Sequence, residues 1–292
     1  MFNDWFKIGG LTVHGYGVMI AIGLIAGFLY AERIARKHGL DDENIDNMIF
    51  AALILGYICS KILYCIVEWD QFLADPMSVL GTEGWVVYGG IIGGVLGAWL
   101  YAKHKKWDFM KYFNCMMPGV ALAQGFGRIG CFFAGCCYGK PVSWGITFPE
   151  GSLAPSGTPL WPTQLIMSAL NFLNFFLLLR NLNKGKHPED TGAWYLIFYS
   201  IGRFFVEFLR GDSRGSVGPL STSQFISLFI FSLGAYLIYR RQRKDEEKLN
   251  AAITSLSEMS SGTVENSVET VDNTVVEKAA EEPAETKENE TV

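Results

Sequence analysis

The sequence has few charged residues and lacks the signatures of several soluble protein classes. Only 18% of its 292 residues are charged, and it has four histidines. No glycine-rich phosphate loop follows a predicted strand and no internal repeat is visible, which argues against common nucleotide-binding and solenoid architectures. The six cysteines show neither disulfide-framework spacing nor paired C-x₂-C spacing. A disulfide-stapled secreted domain or a zinc knuckle is therefore not expected.

Long apolar runs dominate what is present. Half of the residues are hydrophobic and 32 are glycine, a composition more typical of a membrane bundle than of a soluble globule. About 20 apolar residues cross the hydrocarbon region as a helix, which satisfies its own backbone hydrogen bonds. The sequence thus predicts an all-α polytopic membrane protein with about seven transmembrane helices. The predicted spans are 15–33, 46–67, 86–103, 113–133, 162–181, 191–210 and 222–240.

Basic residues determine the predicted orientation. Clusters of Lys and Arg follow the first, third, fifth and seventh spans, whereas the loop 68–84 has none. By the positive-inside rule, the N-terminus lies outside and the C-terminus lies in the cytoplasm. The first span is expected to stay in the mature protein, because no small-residue cleavage site follows it.

The C-terminal segment 245–292 differs in composition from the rest. It carries 13 acidic and 3 basic residues, a net charge of −10, whereas residues 1–244 carry 16 acidic and 21 basic residues, a net charge of +5. Its apolar surface is too small to offset the entropy of ordering. We therefore predict a transmembrane helical domain over 1–244 and an acidic disordered cytoplasmic tail over 245–292.

Several predicted spans contain charged side chains that are costly in lipid. Each costs at least ~2.5–3.5 kcal/mol at the centre of a span, so it needs a partner or a function. Arg128 lies among small residues in the fourth span, and Arg203 and Glu207 recur one turn apart in the sixth, in line with Tyr199 and close to Arg210. In the predicted orientation these residues lie in the outer halves of their helices.

Other polar groups are predicted at the same level. The outer ends of the first, third and fifth spans contain His14, Tyr16, Tyr88 and Gln164. If the helices enclose one cavity, two or three arginines in it would form an anion site, since the planar guanidinium group suits bidentate contact with a phosphate.

Each of these features also has a structural alternative. Arg203 and Glu207 could be only an ion pair that stabilises the bundle. His14 and Tyr16 could be ordinary interfacial residues, and the glycines within 89–97 are better explained by close helix packing than by a lipid slot. The cysteines could bind a metal ion or form a disulfide, although inert packing is the simpler interpretation. This cysteine group is Cys131, Cys136 and Cys137.

The motifs resemble, in order, those of the prolipoprotein diacylglyceryl transferase family. They are His14-Gly15-Tyr16-Gly17, Tyr88-Gly89-Gly90, Gly127-Arg128-Ile129-Gly130, Tyr138-Gly139, Pro162-Thr163-Gln164-Leu165, and Tyr199, Arg203, Glu207, Phe208 and Arg210. The resemblance covers roughly residues 12–240. It implies transfer of the diacylglyceryl unit from phosphatidylglycerol to the lipobox cysteine thiol of a prolipoprotein, forming a thioether and releasing glycerol phosphate. It also implies a bacterial plasma membrane location, with no cofactor, metal ion or nucleic-acid partner.

The resemblance implies roles for individual residues. The implied phosphatidylglycerol-binding residues are Arg128, His14, Tyr199, Arg210 and Gln164. The implied catalytic residues are Arg203, Glu207, Tyr88 and Tyr16. A preorganised arginine would stabilise the departing phosphate more in the transition state than in the substrate.

The sequence departs from the family pattern at the residues that could accept a proton. The family usually has Asn-Phe-x-Asn-x-Glu after the GRxG motif, and this chain has cysteine at the first and last of these positions, Cys131 and Cys136. The family's histidine before the paired glycines is Tyr88 here, and a neutral tyrosine is a poor base at pH 7. The general base is therefore open between Glu207, Tyr88 and a thiolate of either cysteine, with Glu207 and Tyr88 ranked first.

Two other functions fit parts of the pattern. A non-catalytic or differently acting paralogue could bind phospholipid or handle thiols on the same scaffold, having lost the usual acid and histidine. A transporter is a weaker alternative, because it would need polar residues near the bilayer midplane and an inverted repeat, and the sequence has neither.

Overall fold

The computed structural model describes the backbone of residues 3–41, 43–81, 84–212 and 215–280, and the side chains as far as Leu256 except at 8, 11 and 217. Helices dominate the described chain. They are α1 (Gly15–Lys37), α2 (Ile45–Val67), α3 (Trp69–Ala74), α4 (Pro76–Gly81), α5 (Val87–His104), α6 (Phe109–Ala134), α7 (Thr163–Lys184), α8 (Thr191–Glu207) and α9 (Thr222–Ala280), with a 3₁₀ turn at Pro188–Asp190.

The seven predicted spans each coincide with one of the long helices, which are α1, α2 and α5 to α9. By length and composition, four helical segments of the described residues can cross a membrane, in agreement with a membrane protein built of helices. These four are Gly15–Lys37, Ile45–Val67, Thr163–Lys184 and Thr222–Leu256. The short helices α3 and α4 fill the loop between α2 and α5.

The all-α prediction missed several short strands. Strands β1 (Asp4–Ile8) and β2 (Leu11–His14) form an antiparallel hairpin before α1, and β4 (Ser216–Val217) pairs with β5 (Leu220–Ser221) before α9. Strand β3 (Pro141–Ile146) follows α6. These strands lie outside the apolar runs and have only two to six residues each, so the hydropathy pattern carries no signal for them.

Close glycine packing joins α2 to α5. A Cβ added to Gly89, Gly93 or Gly97 would lie 2.4–2.5 Å from a backbone carbonyl oxygen of α2. The spacing of four residues places the three glycines on one face of α5, so the two backbones can approach without side chains between them. The prediction that the glycines within 89–97 mediate helix packing is confirmed.

Helix α6 packs against α1, α7 and α8. Gly23 of α1 lies against the backbone of Ala123, and Ser168 of α7 donates to the carbonyl oxygen of Gly125 at 2.8 Å. At one end of α8 the amide of Gly192 donates to Asn114 Oδ1 at 2.7 Å. These contacts make α6 the element that positions the polar residues of three neighbouring helices.

The chain divides into two units, residues 1–237 and 238–292. All residues of the predicted site lie in the first unit. The backbone is helical as far as Ala280 in α9, and residues 281–292 of the predicted tail lie outside the described residues. The tail boundary at 245 and its disorder stay predictions.

Candidate active site

Helices α6 and α8 face each other through a ladder of polar side chains. Gln124 interacts with the hydroxyl of Tyr195, and one turn further along each helix Arg128 interacts with the hydroxyl of Tyr199. The contacts advance in the same direction on both helices, so α6 and α8 run parallel. Arg203 lies one further turn along α8, about 6 Å beyond Tyr199 in axial rise.

The far ends of α6 and α8 are tied together by their backbones. The amide of Lys140 donates to the carbonyl oxygen of Leu209 at 2.8 Å, and the amide of Gly211 donates to that of Tyr138 at 3.1 Å. A Cβ on Gly211 would lie 2.6 Å from the carbonyl oxygen of Gly139. The Tyr138-Gly139 motif therefore keeps the ends of α6 and α8 at one level.

Arg203 and Arg210 are held by carboxylates and a hydroxyl. Glu207 accepts a hydrogen bond from Arg203 and lies 3.6 Å from Nε of Arg210. Arg203 also donates to Oγ of Ser223 at 2.6 Å, and Arg210 donates to Asp212 at 2.7 and 2.9 Å. The side chains of Arg203, Glu207 and Arg210 are at most 10% exposed. Together with the Asp212 carboxylate, these charges neutralise one another in a nearly dry setting.

Arg128 differs from the other two arginines because its neighbours are neutral. Its guanidinium group interacts with the hydroxyl of Tyr199 and lies near the sulfur atoms of Cys131 and Cys137. Within the described ranges, no carboxylate forms an ion pair with it. A half-buried guanidinium without a carboxylate partner is a strong attractor for an anionic group.

The C-terminus of α6 ends in a Schellman motif that gathers the three cysteines. Gly135 has a left-handed φ of 73°, its amide donates to the carbonyl oxygen of Phe132, and the amide of Cys136 donates to that of Cys131. This motif places the side chains of Cys131 and Cys136 against each other. Cys137 follows with a φ of 59°. The three sulfur atoms lie within 4.8 Å of one another.

The thiol cluster is tied to the start of α7 and does not contain a disulfide. Gln164 donates to the carbonyl oxygen of Cys136 at 2.8 Å, and Thr163 donates to that of Cys137 at 2.7 Å. Hydrogen bonds with Cys131 and Cys137, together with burial, raise the pKa of the Cys136 thiol above its ordinary value. A raised thiol pKa argues against Cys136 as the thiolate base.

The side chain of Gln164 contacts the backbone of the cysteine turn through one of its two polar atoms. Its side chain is buried, and its Oε1 atom has no hydrogen-bond partner among the described residues. Its other polar atom, Nε2, binds the cysteine turn. Gln164 therefore positions the turn, and its Oε1 atom remains available as a buried hydrogen-bond acceptor.

The N-terminal hairpin covers the same end of α6. The ring of Trp5 packs edge-on against Phe133 with centroids 5.2 Å apart, and the backbone oxygen of Tyr16 lies 3.1 Å from a Cβ added to Gly130. The Tyr16 side chain is 41% exposed and lies near Arg128 and the cysteine cluster. Tyr16 therefore belongs to the site.

His14 and Tyr88 lie at helix starts but have less direct links to Arg128. Nδ1 of His14 lies 2.8 Å from Asp4 across the β1–β2 hairpin, and its side chain is exposed. Tyr88 is exposed in the first turn of α5, which packs mainly on α2. No hydrogen bond or ring contact joins Tyr88 to the other predicted site residues within the described ranges.

Two carboxylate partners in the site were not predicted from the sequence. Asp212 holds Arg210, and Asp4 holds His14. An acidic residue two positions after Arg210 was a usable signal, because a buried arginine needs a counter-ion. The contact of Asp4 depends on a hairpin that the helical pattern did not indicate.

Comparisons with known proteins agree with the motif set. The family model described as prolipoprotein diacylglyceryl transferase matches residues 3–240. The chain is 47% identical over 237 residues to phosphatidylglycerol–prolipoprotein diacylglyceryl transferase 2 of Clostridium perfringens, an alignment that covers 80% of this chain and 92% of the relative.

Two further relatives have similar names. The chain is 44% identical over 236 residues to phosphatidylglycerol–prolipoprotein diacylglyceryl transferase of Clostridium tetani, covering 80% of this chain and 94% of the relative. It is 33% identical over 246 residues to the protein of that name from Staphylococcus carnosus, covering 81% and 89%. In each case the alignment is long enough to include the site helices.

Proposed function

The chain belongs to the prolipoprotein diacylglyceryl transferase family, and from this premise we propose that its substrates are phosphatidylglycerol and prolipoproteins. It is a membrane transferase of lipoprotein biosynthesis. The diacylglyceryl group moves from the phospholipid to the lipobox cysteine thiol. A carbon–sulfur bond forms, the carbon–oxygen bond to phosphate breaks, and the electron pair leaves on the phosphate oxygen of glycerol phosphate.

The unneutralised charge of Arg128 is the observation that most directly supports phosphatidylglycerol binding at this site. Arg203 and Arg210 share two carboxylates, from Glu207 and Asp212, whereas the neighbours of Arg128 are a tyrosine hydroxyl and thiols. The Arg128 guanidinium would therefore bind the phospholipid phosphate. Its interaction strengthens as the leaving phosphate gains charge, which lowers the barrier rather than only binding the substrate.

The remaining site residues would shape the cavity and handle the proton. Tyr199 positions Arg128, and Tyr16 lies near the same phosphate position. The Arg203–Glu207 pair lies one turn beyond Tyr199 and would contact the reacting groups. Glu207 remains the first candidate for the base, although two guanidinium groups already engage its carboxylate, and Tyr88 remains the second.

We further propose seven membrane spans in the bacterial cytoplasmic membrane, with the N-terminus outside. Alternating helix directions support this. Helix α6 runs parallel to α8 and antiparallel to α1 and α7. Along α1, Gly23 lies against Ala123 and Gly27 lies against Gly119. Along α7, Gln164 and Ser168 donate to the carbonyl oxygens of Cys136 and Gly125, respectively. Odd-numbered spans would then all end at the cytoplasmic face, where their basic clusters lie. The site of Arg128 would lie at the opposite face, in the outer leaflet.

The test is complementation of cells depleted of their own transferase. Expression of the chain should restore lipidation of a reporter lipoprotein, measured by incorporation of labelled lipid. Arg128→Ala should abolish the modification at equal membrane abundance, and Arg180→Ala, which changes an exposed arginine on α7, should not. Failure of the unchanged chain to restore lipidation would favour the non-catalytic paralogue.

A further inference from the structure

The three clustered cysteines have a geometry that none of the residue roles given above uses. Their sulfur atoms lie within 4.8 Å of one another. Three sulfurs bound to one ion at about 2.3 Å each are roughly 4 Å apart. A small contraction of the cluster would therefore suffice to coordinate a metal ion.

The backbone builds this arrangement at an energetic cost. The Schellman motif brings the residues at the positions of Cys131 and Cys136 close together, and those positions frequently carry an apolar contact. Cys137 adopts a φ of 59°, a left-handed conformation that favours glycine or asparagine. Inert packing needs no such strain, whereas a ligand set held by a fixed turn is a common reason for it.

The surroundings also suit a cation bound by thiolates. The hydrogen bonds from Thr163 and Gln164 fix the carbonyl groups of the turn, so its sulfurs are preorganised. Three thiolates and one divalent ion carry a net charge of −1, and the Arg128 guanidinium lies next to two of the sulfurs. Cys131 and Cys136 are only partly buried, which leaves access for an ion and for a fourth ligand.

We propose that Cys131, Cys136 and Cys137 bind one thiophilic metal ion of the Zn²⁺ class and that its open fourth position takes the acceptor cysteine thiol. Three protein ligands with one open position are typical of catalytic zinc sites, and thiolate ligands select zinc or copper(I). This second part rests on the proposed function. Coordination replaces the proton of the acceptor thiol, which passes to solvent, and the bound sulfur then forms the carbon–sulfur bond next to Arg128.

This proposal accounts for the residues at which a base is missing. Cysteine stands at 131 and 136, where the family pattern has asparagine and glutamate, and tyrosine stands at 88 in place of histidine. A metal-bound thiol is deprotonated without a general base. The three substitutions would then have a common explanation, in which a metal ion takes over the role of the acid and the histidine of the family pattern.

Metal binding is tested with Co²⁺, whose thiolate complexes absorb strongly. The purified full chain in detergent, stripped with chelator under reducing conditions, should bind one Co²⁺ per chain with a sulfur-to-metal charge-transfer band, and Zn²⁺ should remove that band. Cys136→Ser and Cys131→Ser should each weaken binding at least about tenfold. Cys65→Ser, on α2 away from the cluster, is the matched control and should bind normally. Absence of the band, or a band unaffected by both cluster variants, would overturn the metal site. So would a Cys131–Cys136 disulfide that persists in reductant.

Acceptor binding is tested on the Co²⁺-loaded chain. A lipobox peptide with its cysteine should increase the charge-transfer absorption, and the same peptide with serine should not. An unchanged spectrum with the cysteine peptide would overturn the proposal that the acceptor thiol binds at the fourth position of the metal ion. Arg128→Ala separates this result from the proposed function, because at saturating Co²⁺ it should keep the Co²⁺ and peptide spectra while losing lipid transfer. Normal lipidation in Arg128→Ala would count against the proposed phosphate site and leave the metal site standing.

Discussion

The guanidinium group of Arg128 on α6 faces the hydroxyl of Tyr199 on α8, so two helices jointly position the one site arginine that lacks a carboxylate partner in the described chain. Tyr199 also stacks on Tyr195, with ring centroids 5.8 Å apart and planes inclined by 19°. The stacked pair fixes the direction of the Tyr199 hydroxyl. Preorganisation of Arg128 therefore depends on α8 as much as on its own helix.

Tyr199→Phe should reduce lipid transfer about tenfold, equivalent to ~1.4 kcal/mol of transition-state stabilisation. The substitution removes one hydroxyl and keeps the stacked ring, so the free energy of unfolding should change little. Initial rates of reporter lipidation in membranes of known protein content measure the effect. Tyr236→Phe, at an exposed tyrosine of α9, is the matched control, and equal rates for both variants would remove Tyr199 from the site.

The Arg203–Glu207 pair allows structural and chemical roles to be separated. Removal of one partner of a buried ion pair leaves an uncompensated charge and costs about 3–5 kcal/mol. Arg203→Gln and Glu207→Gln should each lower the melting temperature of the purified protein. The double variant should recover most of that stability, because neither charge then remains, yet it should not recover lipid transfer.

The recovery of activity is the deciding measurement for this pair. If transfer returned together with stability in the double variant, the pair would be only a structural clamp. The exposed pair of Arg243 and Glu247 provides the reference, because Glu247→Gln should change the free energy of unfolding by less than about 0.5 kcal/mol.

Adjacent glycines of α5 provide a matched test of the α2–α5 contact. A Cβ on Gly93 would lie 2.5 Å from the carbonyl oxygen of Leu55, whereas one on Gly94 would meet only the carbonyl oxygen of Ala52 at 3.6 Å. Gly93→Ala should destabilise the protein by about 1–3 kcal/mol through overpacking. Gly94→Ala should be neutral or stabilising, since alanine favours the helix by up to ~1 kcal/mol. Thermal unfolding in one detergent compares them, and equal melting temperatures would contradict close packing.

The sequence was sufficient for the helices because a membrane span is encoded locally. Apolar length and basic flanks predicted seven helical segments, and each coincides with a long helix. The intramembrane charges likewise identified Arg128, Arg203 and Glu207 as residues in need of partners. In these cases the residue type and its position within a span were sufficient for the prediction.

Contacts made by the loops and turns around the helix ends were not encoded in that way. The pairing of Arg210 with Asp212 and of His14 with Asp4 turned two proposed phosphate ligands into residues with a carboxylate partner. The Schellman turn that gathers the cysteines depends on the φ of Gly135 and on hydrogen bonds from α7. Hydropathy does not report such backbone geometry, so the sequence showed only that three cysteines lie close together along the chain.

The acidic tail should be dispensable for transfer. All residues of the proposed site precede Lys244, and the partner of Arg203 on α9 is Ser223. A chain that stops after Lys244 should therefore restore lipidation to the level of the full chain at equal membrane abundance. A chain that stops after Leu220 should fail, because it lacks α9 and leaves Arg203 without that hydroxyl. Loss of transfer in the Lys244 truncation would show that the tail contributes to folding or to the site, and it would contradict the predicted boundary at residue 245.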